Sequence, residues 1–366
     1  MKIYFVLCDA QPFDDILFKN AKENNASILK QISNGFTTQT VLSALTGKLP
    51  SEIDVQNGIG YQTYKKEEIQ NNSQPWFENN LINYLCKRED WEVNVHNSLW
   101  FKNFIFNNSK INYTSNFPPH GLASEQLAMK KKLGWSLAKN VLLGDNSNYQ
   151  NNEITWIKKT QESPDNSKNQ FHFIVYHYSH ESIASNYMRE EANRRQNELI
   201  FSWDFEEKDA VFIFFSDHGD WNKIDDLGLN PNTWMSWVLI KDNTSEKEIK
   251  RKIISSTELY QFINDKINNS DKSIFHIEDD LNKIYFYEDA RSRIDNFKST
   301  TAGAIKILKR NLNNQPVNEY LITTYSRYNK TFQSCVYNEF KKELKQCKVD
   351  ENIANMISSK FKWVKS

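Results

Sequence analysis

Short apolar segments separated by polar ones run through the first two thirds of the chain. Four are apolar over most of their length, which is typical of strands buried on both faces of a parallel sheet. They are KIYFVLC at 2–8, FHFIVYHY at 171–178, AVFIFFS at 210–216 and WVLI at 237–240. Amphipathic segments predict helices at 14–32, 183–205 and 256–268, the last with Ser255 or Ser256 as its N-cap. This alternation predicts an α/β fold with a mostly parallel sheet sandwiched by helices.

The pattern changes near residue 270. Shorter runs rich in aromatic and β-branched residues follow, namely KIYFYED, EYLITTYSRY and KTFQSCVYN, and then charged helical segments. They indicate a small C-terminal α+β subdomain at 271–366 after a catalytic domain at 1–270. At 366 residues the chain is long enough for one large core and such an addition.

Composition limits the classes of partner. Lys plus Arg and Asp plus Glu both number 46, so we expect no nucleic-acid partner. No segment approaches the roughly 18 apolar residues that cross a bilayer, and the first strand lacks a signal-peptide cleavage site, so we expect no membrane partner. The 4 cysteines are scattered without a C-x-x-C pair, which favours a reducing compartment and a cytoplasmic location. Homo-oligomer formation is left open.

Polar residues follow two of the apolar strands directly. Asp9 follows the first strand, with Asp14 close behind, and Asp217-His218-Gly219 ends the third. Ligands of open α/β sheets bind at the carboxyl ends of strands, and carboxylates with an imidazole can hold a divalent cation. An aspartate after a strand is more often a helix cap, so each signal is weak when taken singly.

A third segment adds to these two. NGFTTQTVLSALTGKLP, at 34–50, places a glycine and hydroxyl residues before an amphipathic helix that ends at Thr46. It resembles the nucleophile segment of the alkaline phosphatase and sulfatase superfamily, which reads approximately T-x-P-S-x-A-S-L-x-T-G. In this alignment Thr37 is the nucleophile, and Thr38 is the alternative. The first strand end resembles D-A-L-R-x-D of the same superfamily, and FFSDHGD resembles S-D-H-G-E, in the same order.

The resemblance implies an alkaline phosphatase-like fold and one divalent metal ion, either Mn²⁺, Zn²⁺, Mg²⁺ or Ca²⁺. The implied ligands are Asp9, Asp14, Asp217, His218 and the Thr37 oxygen. Two-metal relatives carry a D-x-x-x-H in the middle of the chain and a later histidine. In this chain Ser179 precedes His180, and the later His276 falls outside the resembling region, which indicates one metal.

Three further residues are candidates for contacting the substrate. His177 and His180 follow the strand at 171–178, where the family places a histidine that contacts the substrate anion. His180 is therefore also a candidate catalytic residue, although a structural histidine is the alternative. Lys223 lies close enough in sequence to His218 to reach a transferring oxygen, but a solvated lysine is the usual case.

Departures from the family pattern narrow the range of reactions that we expect. Gln39 and Thr40 stand where Pro and Ser are usual, Val41 replaces the sulfatase Arg, and Pro12 replaces the Arg of the first motif. Because the C-x-P-S-R signature for formylglycine is absent, we expect a metal-dependent hydrolase of phosphate esters or phosphonates with a phosphothreonine at Thr37. The expected substrate is a small-molecule or glycan-linked phosphoester. Two alternatives are a phosphoglycerol or phosphoethanolamine transferase acting on a glycan or lipid intermediate, and a catalytically inactive binding module.

Overall fold

The structure is a computed structural model, and the strands it describes form two sheets. It describes residues 1–35, 37–53, 79–98, 108–116, 148–162, 168–176, 178, 189–219, 227–270, 273–278, 282–289, 301–312 and 315–365. The first sheet contains β1 (Lys2–Cys8), β2 (Ser27–Ile32), β3 (Trp91–His96), β4 (Ile111–Thr114), β5 (Asn169–Tyr176), β6 (Ala210–Phe215), β7 (Met235–Asp242) and β8 (Ile253–Ser255). The second contains β9 (Ile284–Asp289), β10 (Thr301–Leu312), β11 (Gln315–Ser326), β12 (Thr331–Asn338) and β13 (Glu343–Cys347). The helices are α1 (Asp15–Glu23), α2 (Thr37–Thr46), α3 (Leu81–Cys86), α4 (Tyr149–Gln161), α5 (Arg189–Ile200), α6 (Pro231–Trp234), α7 (Ser256–Ile267) and α8 (Glu351–Lys360).

The eight-stranded sheet has the order β4-β3-β5-β1-β6-β7-β2-β8. Strand β1 pairs in parallel with both β5 and β6, and β3 pairs in parallel with β5. The predicted mostly parallel α/β sheet is therefore confirmed. Strand β7 is a correction, because it contains the run at 237–240 that was grouped with the parallel strands, yet it pairs antiparallel to β6. Burial on both faces produces the same apolar run in either direction.

The helix predicted at 14–32 is a second correction. Helix α1 ends at Glu23, and Asn25 then adopts a left-handed φ of 50°. Asparagine tolerates this conformation better than most residues and commonly ends a helix. The following residues form β2, in which Gln31 pairs with Ile254 of β8. Helix α7 agrees with its prediction, since Ser255 and Glu258 form a capping box at its start.

Aromatic packing holds the central strands together. The Phe5 ring of β1 stacks on Phe215 of β6 with centroids 4.5 Å apart, and contacts Phe173 of β5 at 5.9 Å. Burial of one such phenyl ring contributes roughly 1.5–3 kcal/mol. Because β5, β1 and β6 are parallel neighbours, their carboxyl ends lie at the same edge of the sheet.

The five-stranded sheet at the C-terminus is antiparallel throughout. Ile353 and Ile357 of α8 pack in one apolar cluster with Ala302 and Ala304 of β10, which confirms a C-terminal part containing both strands and helix. The chain forms two compact units, each drawn from separate stretches of sequence. The domain boundary at 270 stays a prediction. No helix in the described ranges has the length and apolar character required to cross a membrane.

Candidate metal centre

Two carboxylates and an imidazole come together at the carboxyl ends of β1 and β6. Asp9 directly follows β1, while Asp217 and His218 follow β6 after Ser216. The three side chains are at most 1% exposed. One candidate ligand atom from each lies within 4.8 Å of the other two. The structure thus brings together three of the residues that the sequence predicts as metal ligands.

The orientation of the His218 ring fits a metal ligand. Its Nδ1 lies 2.7 Å from the carbonyl oxygen of Gly219, and a carbonyl can only accept, so Nδ1 carries the proton. In a neutral ring Nε2 then bears the lone pair, and Nε2 lies 3.3 Å from Oδ2 of Asp217. Two lone pairs at this distance repel each other unless a proton or a cation neutralises them. Metal-binding histidines commonly donate their other N–H to a carbonyl in this way.

A close backbone approach holds the segment after β6 in place. A Cβ added to Gly219 would lie 2.9 Å from both the Cα atom and the carbonyl oxygen of Asn232. No side chain fits there without displacing the backbone on one side or the other. Glycine at this position therefore allows His218 to take the orientation described above.

Thr37 is the first residue of α2, and its side chain is buried against the group of three. Its Oγ1 donates a hydrogen bond of 2.5 Å to Oδ2 of Asp217. Hydrogen bonds from a hydroxyl to a carboxylate are short and strong, and they draw the proton away from the hydroxyl oxygen. The start of α2 also supplies main-chain N–H groups that have no partner within the helix. This arrangement suits a nucleophile that reacts with an anionic group.

The donor set is chemically suited to a divalent cation. Asp9 and Asp217 supply two carboxylates in a buried environment, where uncompensated negative charge is costly. A divalent cation would balance both charges, and the His218 imidazole together with the Thr37 oxygen would add further donors. Oxygen donors with one imidazole are accepted by Mn²⁺, Mg²⁺, Ca²⁺ and Zn²⁺.

Solved structures share this fold. A protein in the alkaline phosphatase superfamily from Vibrio parahaemolyticus matches with a TM-score of 0.53 and 11% identity, covering 100% of this chain and 86% of that chain. The lipoteichoic acid synthase LtaP from Listeria monocytogenes matches with a TM-score of 0.50 and 10% identity, covering 100% and 90%. The chain has the fold of the alkaline phosphatase superfamily. No protein-family model and no curated protein sequence matches it.

Asp14 and Asp9 have different structural roles in this alkaline phosphatase-like fold. It is the N-cap of α1, where its Oδ1 accepts a hydrogen bond of 2.7 Å from the Leu17 N–H. Its Oδ2 accepts from Nδ2 of Asn197 at 3.2 Å. Asp14 is not a member of the group formed by Asp9, Asp217 and His218. The geometry supports the helix-cap interpretation of Asp14 and gives no support to its role as a ligand.

The predicted substrate-contacting residues, His177, His180 and Lys223, lie outside the residues that the structure describes. Their roles stay predictions. His276, the histidine that follows His218 in the sequence, lies within the described residues, and its Nδ1 lies 3.0 Å from the carbonyl oxygen of Glu248.

Two buried residues next to the candidate metal centre were missed as functional candidates. Thr40 Oγ1 donates to the main-chain oxygen of Asp217 at 3.0 Å, and the N–H of Asn34 donates to the same Oγ1 at 3.2 Å. A signal for Thr40 was present, because it stands where the superfamily that the segment resembles has a serine, and it retains the hydroxyl. Asn34 carries no such signal, since its contacts depend on residues distant in sequence.

Proposed function

We propose that this chain is a metal-dependent hydrolase of phosphate esters or phosphonates that reacts through a phosphothreonine at Thr37. The observation that carries the proposal is the 2.5 Å hydrogen bond from Thr37 Oγ1 to Asp217, a member of the buried group of candidate metal ligands. Hydrolysis of sulfate esters is less favoured, because the formylglycine signature is absent and the residue at the nucleophile position is a threonine.

Asp9, Asp217, His218 and the Thr37 oxygen would hold one divalent ion. Bound there, the ion would polarise a phosphoryl oxygen and lower the pKa of the threonine hydroxyl. The substrate we propose is a small-molecule or glycan-linked phosphoester, with His177, His180 and Lys223 contacting its anionic group. A reducing, cytoplasmic environment remains part of the proposal, and the four cysteines are free thiols.

The residues of the site act as follows. Thr37 Oγ1 forms a bond to phosphorus as the bond from phosphorus to the leaving oxygen breaks, and the bonding electron pair departs with that oxygen. Asp217 Oδ2 takes the hydroxyl proton, which it already accepts in a hydrogen bond. Main-chain N–H groups in the first turn of α2 stabilise the charge on the phosphoryl oxygens. Water then attacks phosphorus, the bond from phosphorus to Thr37 Oγ1 breaks, phosphate leaves, and Asp217 returns the proton to Oγ1.

Replacement of the nucleophile tests this proposal. Thr37→Ala should lower the turnover of p-nitrophenyl phosphate and bis(p-nitrophenyl) phosphate by at least about 10³-fold, since the covalent route is lost. Thr46→Ala is the matched control, because Thr46 lies on the same helix and its hydroxyl donates to the Leu42 carbonyl at 2.7 Å and accepts from the Lys48 N–H at 3.3 Å, neither of them a candidate metal ligand. Acid-quenched wild-type protein should yield a phosphopeptide containing Thr37. Full activity in Thr37→Ala would refute the mechanism.

A phosphotransferase of the phosphoglycerol or phosphoethanolamine type is the second candidate. The observation that favours it is the fold shared with LtaP, which is a lipoteichoic acid synthase. Both reactions proceed through the phosphothreonine and differ in whether water or an alcohol accepts the group. Product analysis with and without added glycerol distinguishes them, since a transferase forms a glycerol phosphoester at the expense of free phosphate.

An inactive binding module is the third candidate, motivated by the departures from the family motif at Gln39 and Thr40. Metal analysis of the purified protein separates it from both enzymes. An absence of bound divalent ion, together with an unchanged melting temperature after addition of Mn²⁺ or Zn²⁺, would favour the binding module.

A further inference from the structure

We infer that Thr40 is a positioning residue that keeps α2 and Asp217 in their relative places while Thr37 reacts. This inference rests on the proposed function. Thr40 touches neither the candidate metal ligand atoms nor the nucleophile oxygen in the contacts described; its hydroxyl contacts main-chain groups on both sides of the site.

Helix α2 holds Asp217 at two points. Thr37 Oγ1 donates to its carboxylate and Thr40 Oγ1 donates to its main-chain carbonyl, at 2.5 Å and 3.0 Å. Residues three apart lie on the same face of a helix, so the two threonines face Asp217 together. Two contacts one turn apart restrict both the rotation of α2 about its axis and its shift along that axis.

The two contacts behave differently during the reaction. The bond from Thr37 to the Asp217 carboxylate is lost once Thr37 Oγ1 is bonded to phosphorus, because that oxygen no longer carries a proton. The bond from Thr40 to the Asp217 carbonyl involves no reacting atom and persists. Thr40 therefore helps to hold the metal ligand set in the free protein, and its effect is largest once Thr37 carries the phosphoryl group.

Asn34 connects Thr40 to a second residue of α2 and to β9. Its N–H donates to Thr40 Oγ1 at 3.2 Å, and its Nδ2 donates to Ser43 Oγ, one turn further along α2, at 3.0 Å. Its Oδ1 accepts from the N–H of Glu288 in β9 at 3.3 Å. The Thr40 hydroxyl therefore acts both as acceptor and as donor at a fixed place. A valine at residue 40 would keep the shape of the side chain and remove both hydrogen bonds.

The test compares Thr40→Val, Thr40→Ser and Thr46→Val with the wild type. Thr46→Val is the matched control, since it removes a buried hydroxyl from α2 whose two partners, the Leu42 carbonyl and the Lys48 N–H, are local in sequence. Mn²⁺ affinity is measured by calorimetry without substrate, and kcat and KM with p-nitrophenyl phosphate. Thr40→Val should weaken Mn²⁺ binding and lower kcat by about 10–100-fold each, as expected for residues that orient metal ligands. KM should change far less than kcat, and Thr40→Ser should restore both quantities.

The inference is overturned if Thr46→Val weakens Mn²⁺ binding as much as Thr40→Val, or if Thr40→Ser behaves like the valine variant. It is also overturned if the wild type binds no Mn²⁺. A wild type that binds Mn²⁺ but turns over no phosphoester would refute the proposed function, and the ranking of the Mn²⁺ affinities would still decide the role of Thr40.

Discussion

His172 should make the stability of the protein fall steeply below neutral pH. It lies within β5, 5% exposed, with its ring stacked on Tyr4 at 5.0 Å. Its Nε2 lies 3.2 Å from Oε1 of Gln170, and its Nδ1 has no hydrogen-bond partner among the described residues. Burial, with smaller contributions from the charges of Lys2 and His96, lowers the pKa of His172 from 6.5 to about 3. A second proton on this ring would therefore be buried without an acceptor.

The size and sign of the effect follow from these two pKa values. In the unfolded chain His172 takes up a proton below pH 6.5, whereas the folded protein keeps it neutral to about pH 3. The stability that depends on the neutral ring is present above pH 6.5 and is lost as the pH falls towards 3. Linkage removes about 2 kcal/mol of unfolding free energy between roughly pH 7.5 and pH 5.

Urea unfolding at both pH values measures this loss. His172→Phe retains a ring to stack on Tyr4 and removes the titrating nitrogen, so it should lose about 2 kcal/mol less than the wild type on acidification. His276→Gln is the control, because His276 lies outside the core and the variant should follow the wild type. Apart from His172 and His276, all ionisable groups are common to the three proteins. Parallel losses in all three would refute the assignment of this pH dependence to His172.

Three further results are expected. Glu153→Ala should destabilise the protein by about 1–3 kcal/mol in urea unfolding, because it removes the buried carboxylate that lies 3.1 Å from His96 Nε2 and accepts from Asn97 Nδ2 at 3.0 Å. Exposed Glu162→Ala should cost under about 0.5 kcal/mol, and equal losses would contradict this. Gly303→Ala should lower the unfolding free energy by about 1–3 kcal/mol, since its Cβ would lie 2.2 Å from the Tyr287 ring. This loss should vanish in a Tyr287→Ala background, and a loss that persists there would show that the clash is not the cause. Mn²⁺ at 100 times its dissociation constant should raise the unfolding free energy by about 2.7 kcal/mol, and an unchanged melting temperature would count against the metal site.

Much of the first sheet and the centre of the candidate site follow from local sequence. Continuous apolar runs gave β1, β5 and β6 to within two residues, because burial on both faces leaves few polar positions in a strand. Asp9 and Asp217 could then be expected to meet, since adjacent parallel strands end at one edge. Helix α2 was also predictable, because Gly47 can adopt the left-handed φ of 70° that ends it.

Other features were decided by tertiary structure. An apolar run records burial but not direction, so β7 could not be recognised as antiparallel. The sequence of β2 predicts the end of a helix, and only its pairing with β8 makes it a strand. Strand β3, WEVNVH, was missed although its apolar residues alternate as in a strand. Asp14 and Asp9 both follow the first strand, and only the position of the Leu17 N–H makes one of them a helix cap. Thr40 likewise acquires its partners from residues 6 and 177 positions away, because side-chain hydrogen bonds of this range exist only once the chain has folded.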